Sequence, residues 1–425
     1  MVLKLREDRA ASSAFRHPWV FSGALATRPD PELHGRLVHV AAADGRILGT
    51  GTYSANVSIA VRLFEFGPAT IDRGWLARRI AEADARRRLL GYGPGTDTTG
   101  YRVVFGESDG LPGLVLDRFG DVLVFQLSTA GMDALREDLI DVLLDQFQPQ
   151  AIVERSDVSV RREEGLNEVT SLRHGEPPQL VPFREHGVEL LADVLGGQKT
   201  GFYLDQKDLR LRLRALTAHV PGAPGATSSA SSAAGAGVTR APGLKGARVL
   251  NLFAHSGSTG LAALLGGAAS VHNVDSSAAG LELCRAHADL HGLGEDRFTV
   301  EEADIFQWLT AAADQASSAG QYDIVLLDPP ALIKSQRDAE QGRRAYHFLN
   351  RAAIRLVRDG GLLVTSSCSS FFKEDDFAFE LRRATVAVGV TLHHLETVRQ
   401  SADHPPSIYF PEAMYLKTLI CQVTR

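Results

Sequence analysis

The chain has 425 residues, of which 44% are hydrophobic and 23% are charged, and its formal net charge is −6. This composition is typical of a globular protein of two or three domains and excludes a collagenous or wholly disordered chain. The acidic balance argues against a protein that coats nucleic acid unspecifically, because such proteins carry a large positive charge.

Neither a membrane segment nor a cysteine framework stands out. No window approaches the ~18 consecutive apolar residues of a membrane span, and the N-terminal MVLKLREDRA lacks the apolar core of a signal peptide. Cys284, Cys368 and Cys421 are too few and too scattered for a disulfide framework or a zinc cluster. We therefore expect a reduced, cytoplasmic protein without a metal centre and without membrane association.

The first 190 residues predict two modules. Residues 1–68 alternate short apolar runs with turn signals, and Ala-Asp-Gly at 43–45 is typical of a hairpin, so this part is predicted to be all-β. Residues 69–190 combine strands with two helical patterns and are predicted to be an α+β domain. In the first helical pattern, 72–91, the residues expected on one buried side are Trp75, Ile80, Ala83 and Leu89.

The last part of the chain, 191–425, changes to strict alternation of strands and helices. It is interrupted at 217–247 by a segment of almost only Ala, Gly, Ser, Pro and Thr, which we interpret as a flexible insertion. The alternation predicts a mostly parallel, doubly wound α/β sheet, in which ligands bind at the carboxyl ends of the strands. The seven predicted strands are 247–254, 270–276, 298–304, 322–330, 361–368, 391–398 and 415–423.

Three consecutive strand ends favour a nucleoside-bearing cofactor. The first strand ends in Asn251–Gly260, a turn of small residues before an apolar helix, and this turn is not the GxGxxG pattern of dinucleotide sites. Asp275 ends the second strand, where a carboxylate can bridge two ribose hydroxyls, and Asp304 ends the third. Each acid taken alone is often only a helix N-cap. Together, they predict S-adenosylmethionine.

The next two strand ends carry an acid and a thiol. Asp328 follows an apolar run and precedes two prolines, whereas Cys368 lies in a serine-rich stretch after the fifth strand. We expect these two strands to be neighbours, so that both side chains reach one crevice, where a thiolate could act as a nucleophile. Cys284 and Cys421 are predicted to be small buried residues.

At this point the sequence resembles the large-subunit ribosomal RNA methyltransferase I family, which are S-adenosylmethionine-dependent 23S rRNA (cytosine-C5) methyltransferases. The resemblance covers nearly the whole chain outside the insertion. It rests on HPWVFSGAL (17–25), ERSDVSVRREEG (154–165), GGQKTGFYLDQKD (196–208), NLFAHSGSTG (251–260), DPP (328–330), TSSCSS (365–370) and RQSADHPPSIYFPEAMYLK (399–417). It implies an N-terminal PUA-like barrel, a central α+β (EEHEE-like) domain and a C-terminal Rossmann-like class I methyltransferase domain.

The resemblance also assigns roles to residues. It implies that Cys368 is the nucleophile and that Asp328 supports the target base. The chain differs from the family pattern at His255, Ser258, Ala331 and Leu332, which affects how the cofactor packs. The residues expected around S-adenosylmethionine are Asn251, Phe253, His255, Ser256, Gly257, Asp275, Ser276, Asp304, Ile305 and Asp328, with Lys199, Phe202, Asp205 and Gln206 of the QKTGFYLDQ motif.

Two other functions stay open on the sequence alone. Asp-Pro-Pro is also similar to the acid-Pro-Pro-aromatic motif of amino-group methyltransferases, although residue 331 is alanine. A noncatalytic RNA-binding or assembly protein could keep the same fold. The expected partner is 23S rRNA or a large-subunit precursor particle, and a homodimer is an open alternative.

A protein of net negative charge must concentrate its basic residues in order to bind RNA. Trp19 follows His-Pro, which predicts an extended segment before a strand. The two adjacent arginines of SVRREEG, Arg161 and Arg162, do not suit a buried strand, so we expect these arginines to contact phosphates. The core of the barrel is the favoured location for Trp19. The candidate RNA-contacting residues are Arg16, Trp19, Arg161, Arg162, Pro329 and Pro330.

Overall fold

The structure is a computed structural model, and it describes residues 1–9, 16–218, 244–314 and 320–425. The predicted insertion at 217–247 lies almost wholly outside the described residues. The chain divides into two compact units, the first comprising Met1–Asp205 and Ser401–Met414 and the second Gln206–Gln400 and Tyr415–Arg425. Within the described ranges, no helix is both long enough and apolar enough to cross a membrane.

The N-terminal part of the first unit is a five-stranded sheet with the order β1-β3-β4-β5-β2. Its inward residues, such as Val38, Val40 and Val61, form a small apolar core. The predicted hairpin is confirmed, because β3 and β4 pair in antiparallel orientation around Gly45, whose φ is +90°. The strands are β1 (Val2–Lys4), β2 (Trp19–Phe21), β3 (Leu37–Ala41), β4 (Ile47–Tyr53) and β5 (Ile59–Phe66).

The central part of the first unit has a second five-stranded sheet, β10-β9-β8-β7-β6, and a separate hairpin of β11 and β12. Its strands are β6 (Gly100–Phe105), β7 (Leu114–Phe119), β8 (Val122–Leu127), β9 (Ala151–Ser156), β10 (Val169–Gly175), β11 (Val181–Glu185) and β12 (Val188–Ala192). Its helices are α1 (Arg73–Leu89), α2 (Ala130–Asp133), α3 (Arg136–Phe147) and α4 (Val160–Glu163). This part of the chain therefore has the predicted combination of helices and strands, an α+β fold.

Helix α1 buries a different face at its C-terminal end from the one expected. Trp75, Ile80 and Ala83 are buried as predicted, but Leu89 is 88% exposed. The inward position of the last turn belongs to Arg87, whose guanidinium is 1% exposed and donates to both carboxylate oxygens of Asp109 at 2.6 and 2.8 Å. An ion pair therefore occupies a position where apolar periodicity predicted leucine.

Two segments expected in the methyltransferase domain belong to the first unit. Thr200 donates its hydroxyl to Asp117 of β7 at 2.6 Å, and Arg155 of β9 donates to the carbonyl of Gly197 at 2.6 Å. Asp403 accepts the backbone N–H of Arg102 at 2.9 Å. These bonds attach residues 191–205 and 401–414 to the central sheet.

The second unit is a single sheet covered by helices. Its strands are β13 (Arg248–Leu252), β14 (Ser270–Asp275), β15 (Phe298–Glu302), β16 (Tyr322–Leu327), β17 (Val357–Ser367), β18 (Thr391–Arg399) and β19 (Lys417–Thr424). Its helices are α5 (Lys207–Ala218), α6 (Ser258–Gly266), α7 (Ala278–Leu290), α8 (Ile305–Asp314), α9 (Ala339–Leu356) and α10 (Glu374–Val388).

The sheet has the order β15-β14-β13-β16-β17-β19-β18, and all seven predicted strands are present. The pairs from β15 to β17 are parallel, whereas β19 is antiparallel to both β17 and β18. The strand order reverses between β13 and β16, which is the switch point where doubly wound sheets bind their ligands. The carboxyl ends of β13, β14, β16 and β17 meet at this edge.

Candidate active site

The turn after β13 has an unusual backbone. Phe253 and His255 have φ angles of 59° and 46°, and Gly257 has a φ of 68°. Left-handed conformations at non-glycine residues cost roughly 1–3 kcal/mol each and concentrate at functional sites. A Cβ atom at Gly257 would lie 2.3 Å from the sulfur of Cys284, so only glycine fits there.

Asp275 connects this turn to the end of β14. One carboxylate oxygen accepts the backbone N–H of His255 at 2.8 Å, and the other accepts that of Ser277 at 2.8 Å. Ser276, between the acceptor Asp275 and the donor Ser277, is exposed. Because a carboxylate has about four acceptor positions, Asp275 can hold both turns and still accept hydroxyl groups from a ligand.

Two predicted cofactor residues, Asn251 and Ser256, are buried in or beside this turn. The buried Asn251 donates its amide to Asn273 at 2.9 Å, and the buried hydroxyl of Ser256 bonds to that of Ser258 at 3.1 Å. Cys284 lies below Gly257, and its burial raises the pKa of its thiol to about 12. The Ser256–Ser258 hydrogen bond and the packing of Cys284 against Gly257 therefore stabilise the turn.

Asp304 follows β15 and is exposed. Its carboxylate accepts the backbone N–H of Gln307 at 2.9 Å in the first turn of α8, as an N-cap does. The neighbouring Ile305 is buried in the apolar core of the sheet. Asp304 therefore has a structural role in the helix, and its exposed side chain is accessible to a ligand.

Asp328 follows β16 and is half-buried, with Pro329 buried and Pro330 exposed after it. The side-chain amide of Gln206 donates to a carboxylate oxygen of Asp328 at 2.5 Å. The sequence motif indicated Gln206 only as one of the residues expected around S-adenosylmethionine. The structure shows in addition that it orients the candidate acid.

Cys368 follows β17 and is half-buried. Because Leu327 of β16 pairs in parallel register with Thr365 of β17, Asp328 and Cys368 emerge at the same edge of the sheet from neighbouring strands. Tyr346 of α9 anchors the thiol's loop: its phenol oxygen accepts from the Ser367 hydroxyl at 2.9 Å and shares a 3.1 Å hydrogen bond with Ser369.

Residues 199–205 belong to the first unit. Lys199 pairs with Asp205 at 3.2 Å, and its ammonium lies 4.1 Å from the ring centre of Tyr203. Phe202 is 1% exposed and packs against Phe183 with ring centres 5.0 Å apart. The ring of Phe202 is therefore part of the core of the first unit, and its contact with the cofactor stays a prediction.

The expected RNA-contacting residues have different environments. Arg16 is exposed, and the half-buried Trp19 donates its indole N–H to Glu107 at 2.8 Å. Arg162 is exposed and pairs with Glu168 at 2.8 Å. Arg161 is 2% exposed, because Asp133 and the carbonyl groups of Leu127 and Asn167 accept from its guanidinium. The prediction of a surface position is wrong for Arg161.

Two side chains near the loop of Cys368, Lys417 and Tyr346, were not predicted as site residues from the sequence. Lys417 ends the long C-terminal motif, and Tyr346 lies in an amphipathic helix where an aromatic residue predicts core packing. Their spacing of 49 and 22 residues from the thiol gives no local signal. Only the pairing of β17 with β19 and the packing of α9 bring them to the loop.

Comparisons with known proteins agree with this architecture. Residues 3–66 match the family model described as a PUA-like domain, and residues 240–421 match the S-adenosylmethionine-dependent methyltransferase model. A solved methyltransferase from Streptococcus mutans has the same fold, with a TM-score of 0.79 at 18% identity over 99% of this chain and 100% of that chain. A second solved methyltransferase, complexed with SAH, has a TM-score of 0.80.

Curated relatives match over the full length. Ribosomal RNA large subunit methyltransferase I of Shewanella amazonensis is 40% identical over 423 residues, and that of an Escherichia coli strain is 35% identical, each covering 99% of both chains. The strand-end turn, Asp275 and the switch-point edge fit the cofactor of such enzymes. This chain, whose cofactor is S-adenosylmethionine, thus belongs to the ribosomal RNA large subunit methyltransferase I family.

Proposed function

We propose that this protein methylates carbon 5 of a cytosine in 23S rRNA through a covalent adduct on Cys368. The observation that carries the proposal is that Cys368 and Asp328 follow neighbouring parallel strands, β17 and β16, at the same edge of the sheet. The relatives are named for the large-subunit ribosomal RNA, and the PUA-like domain at residues 3–66 supports an RNA substrate.

The chemistry explains why a thiol is needed. Carbon 5 of cytosine is a poor nucleophile, and addition of the Cys368 thiolate to carbon 6 converts it into the nucleophilic carbon of an enamine. S-adenosylmethionine supplies the electrophilic methyl group and leaves as SAH. A base then removes the carbon 5 proton, and the electron pair expels the thiolate from carbon 6. The target base must leave its stack to enter such a site.

Asp328 is suited to bind the other edge of the base. A carboxylic acid that protonates or hydrogen-bonds N3 stabilises the charge that develops when the thiolate adds. The Gln206 amide, which donates to one carboxylate oxygen, fixes the direction of the other. Gln206 is therefore a positioning residue for this step.

The cofactor is proposed to bind across the turn after β13 and Asp275. The first backbone N–H groups of α6 follow Gly257 without a side-chain cap, so they suit the carboxylate of the methionine moiety. Asp275 is assigned to the ribose hydroxyls, and the exposed Asp304 to the adenine. The exposed Arg16 and Arg162 are candidates for phosphate contacts.

Replacing Asp275 with alanine should weaken S-adenosylmethionine binding by roughly 1–3 kcal/mol, because charge-assisted hydrogen bonds are lost. Calorimetric titration measures this affinity. The control is Asp289→Ala, which removes an exposed acid from α7. Equal affinities for the two variants would contradict the assignment of Asp275 to the cofactor.

The modified nucleoside tests the proposed function directly. Ribosomal RNA from a strain lacking the gene, naked or as large-subunit precursor particles, is incubated with the protein and methyl-labelled cofactor. Digestion and mass spectrometry should then show labelled 5-methylcytidine. Label in an exocyclic amino group would instead support amino-group methylation, which the Asp-Pro-Pro sequence keeps as the second candidate. Absence of both label and cofactor binding would indicate a noncatalytic protein.

A further inference from the structure

Lys417 is the side chain on β19 that flanks the loop of Cys368. It pairs with Ser367 in the antiparallel ladder between β17 and β19. Its ammonium donates to the carbonyl oxygen of Ser369 at 2.8 Å and to that of Tyr415 at 3.3 Å. Lys417 is therefore bound to the residue after Cys368 and paired with the residue before it.

The burial of Lys417 removes a charged group from water, which costs free energy. Lys417 is 6% exposed, and its two acceptors are neutral carbonyl oxygens. Burial lowers the pKa of Lys417 to about 8; the negative charges of Cys368 and Glu374 oppose that shift, and the positive charge of Arg399 adds to it. Because a hydrophobic residue at this position would avoid the desolvation of a charge, its presence calls for a role beyond packing.

The other ionisable groups around the loop largely compensate one another. Glu374 of α10 pairs with Arg399 of β18 at 2.5 Å, which balances their charges. Burial raises the pKa of Tyr346, so that its phenol is neutral at pH 7. Asp328 at the end of β16 adds a carboxylate at the same edge. Among the residues that the structure describes, Lys417 is a buried cation on the β19 side of the thiol's loop.

We propose that Lys417 is a positioning residue that stabilises the thiolate of Cys368 and fixes the backbone carbonyl group of Ser369, the next residue in the chain. This inference rests on the proposed function, in which Cys368 is the nucleophile. The thiolate is the reactive form of cysteine, and a nearby cation increases its fraction at neutral pH. The hydrogen bonds of the ammonium are made to the backbone carbonyl groups of Ser369 and Tyr415, so they also hold the loop that carries Cys368.

Alkylation of Cys368 by iodoacetamide measures the thiolate without RNA or cofactor. The rate is followed from about pH 5 to about pH 10 by peptide mass spectrometry in wild type, Lys417→Met and Lys417→Arg. In Lys417→Met, the midpoint should move upward by about one pH unit or more, so that the rate at pH 7 falls about tenfold. Lys417→Arg should keep the wild-type midpoint, because it keeps the charge.

Buried Cys284 and Cys421, whose pKa values burial raises to about 12, serve as internal controls for folding. An unchanged Cys368 profile in Lys417→Met, with both controls protected, overturns the inference. If the Lys417→Met substitution exposes the two control cysteines, the near-isosteric Cys368→Ser variant tests the inference instead. Removing the thiolate should lower the pKa of Lys417, as measured by competitive acetylation, and an unchanged pKa overturns the inference.

These readouts separate the inference from the proposed function. Alkylation and acetylation report the coupling of two charges and require no methyl transfer. If the charges are coupled but Cys368→Ala still forms 5-methylcytidine, the proposed function fails and the coupling stands. If Cys368 is essential and its alkylation is independent of Lys417, the proposed function stands and the inference fails.

Discussion

Replacing Cys368 with alanine should reduce the rate of methyl transfer by roughly 10³-fold or more, as expected for the loss of a covalent nucleophile. Without addition at carbon 6, carbon 5 of cytosine stays unreactive toward the methyl group. Single-turnover transfer of labelled methyl to ribosomal RNA measures this rate. Cofactor affinity should be unchanged, because the proposed cofactor turns are formed by β13, β14 and Asp275 rather than by the thiol's loop.

Ser370→Ala is the matched control for Cys368→Ala, since Ser370 is an exposed residue of the same loop. RNA carrying 5-fluorocytosine gives a second readout. Fluorine cannot leave carbon 5 as a proton does, so wild-type protein should remain covalently attached to this RNA and the alanine variant should not. Near-normal transfer by Cys368→Ala would contradict the adduct and favour amino-group methylation.

Replacing Asp109 with alanine should lower the free energy of unfolding of the first unit by roughly 3–5 kcal/mol, because it leaves a buried guanidinium without its counter-ion. Asp109 accepts from Arg87, from Arg86 at 2.9 Å and from the backbone N–H of Phe105 at 2.7 Å. Burial alone would raise the pKa of Asp109, but the paired Arg87 lowers it below its ordinary value. Urea unfolding followed by fluorescence of Trp19 and Trp75 measures the change.

The control for Asp109→Ala is Asp141→Ala, which removes an exposed partner of Arg73 and should cost no more than about 1 kcal/mol. The pH dependence follows from the lowered pKa of Asp109. The contribution of its carboxylate is present above the ordinary carboxyl pKa of about 4, and it is lost as the pH falls through the lower folded-state value. Equal destabilisation by the two substitutions at neutral pH would contradict a buried, charge-paired Asp109.

The linear sequence determined the architecture of the second unit and the candidate groups of its site. Strand periodicity and turn residues act over a few neighbouring positions, so the seven strands could be read directly. The rule that ligands bind at the carboxyl ends of parallel strands then selected Asp275, Asp328 and Cys368. The hairpin at Gly45 was equally local, because its turn and both strands are contiguous in the chain.

Only the tertiary structure decided which polar groups are buried and what they bind. Arg87 rather than Leu89 is internal because Asp109 and the carbonyl of Asp403 accept from it, and Asp403 lies 316 residues away in sequence. Arg161 is internal for the same reason, with acceptors supplied by Asp133 and two backbone carbonyls. Likewise, Lys417 reaches the loop of Cys368 only through the antiparallel pairing of β17 and β19. Burial of a charge depends on partners from distant segments, whereas the pattern of strands depends on neighbours in the chain.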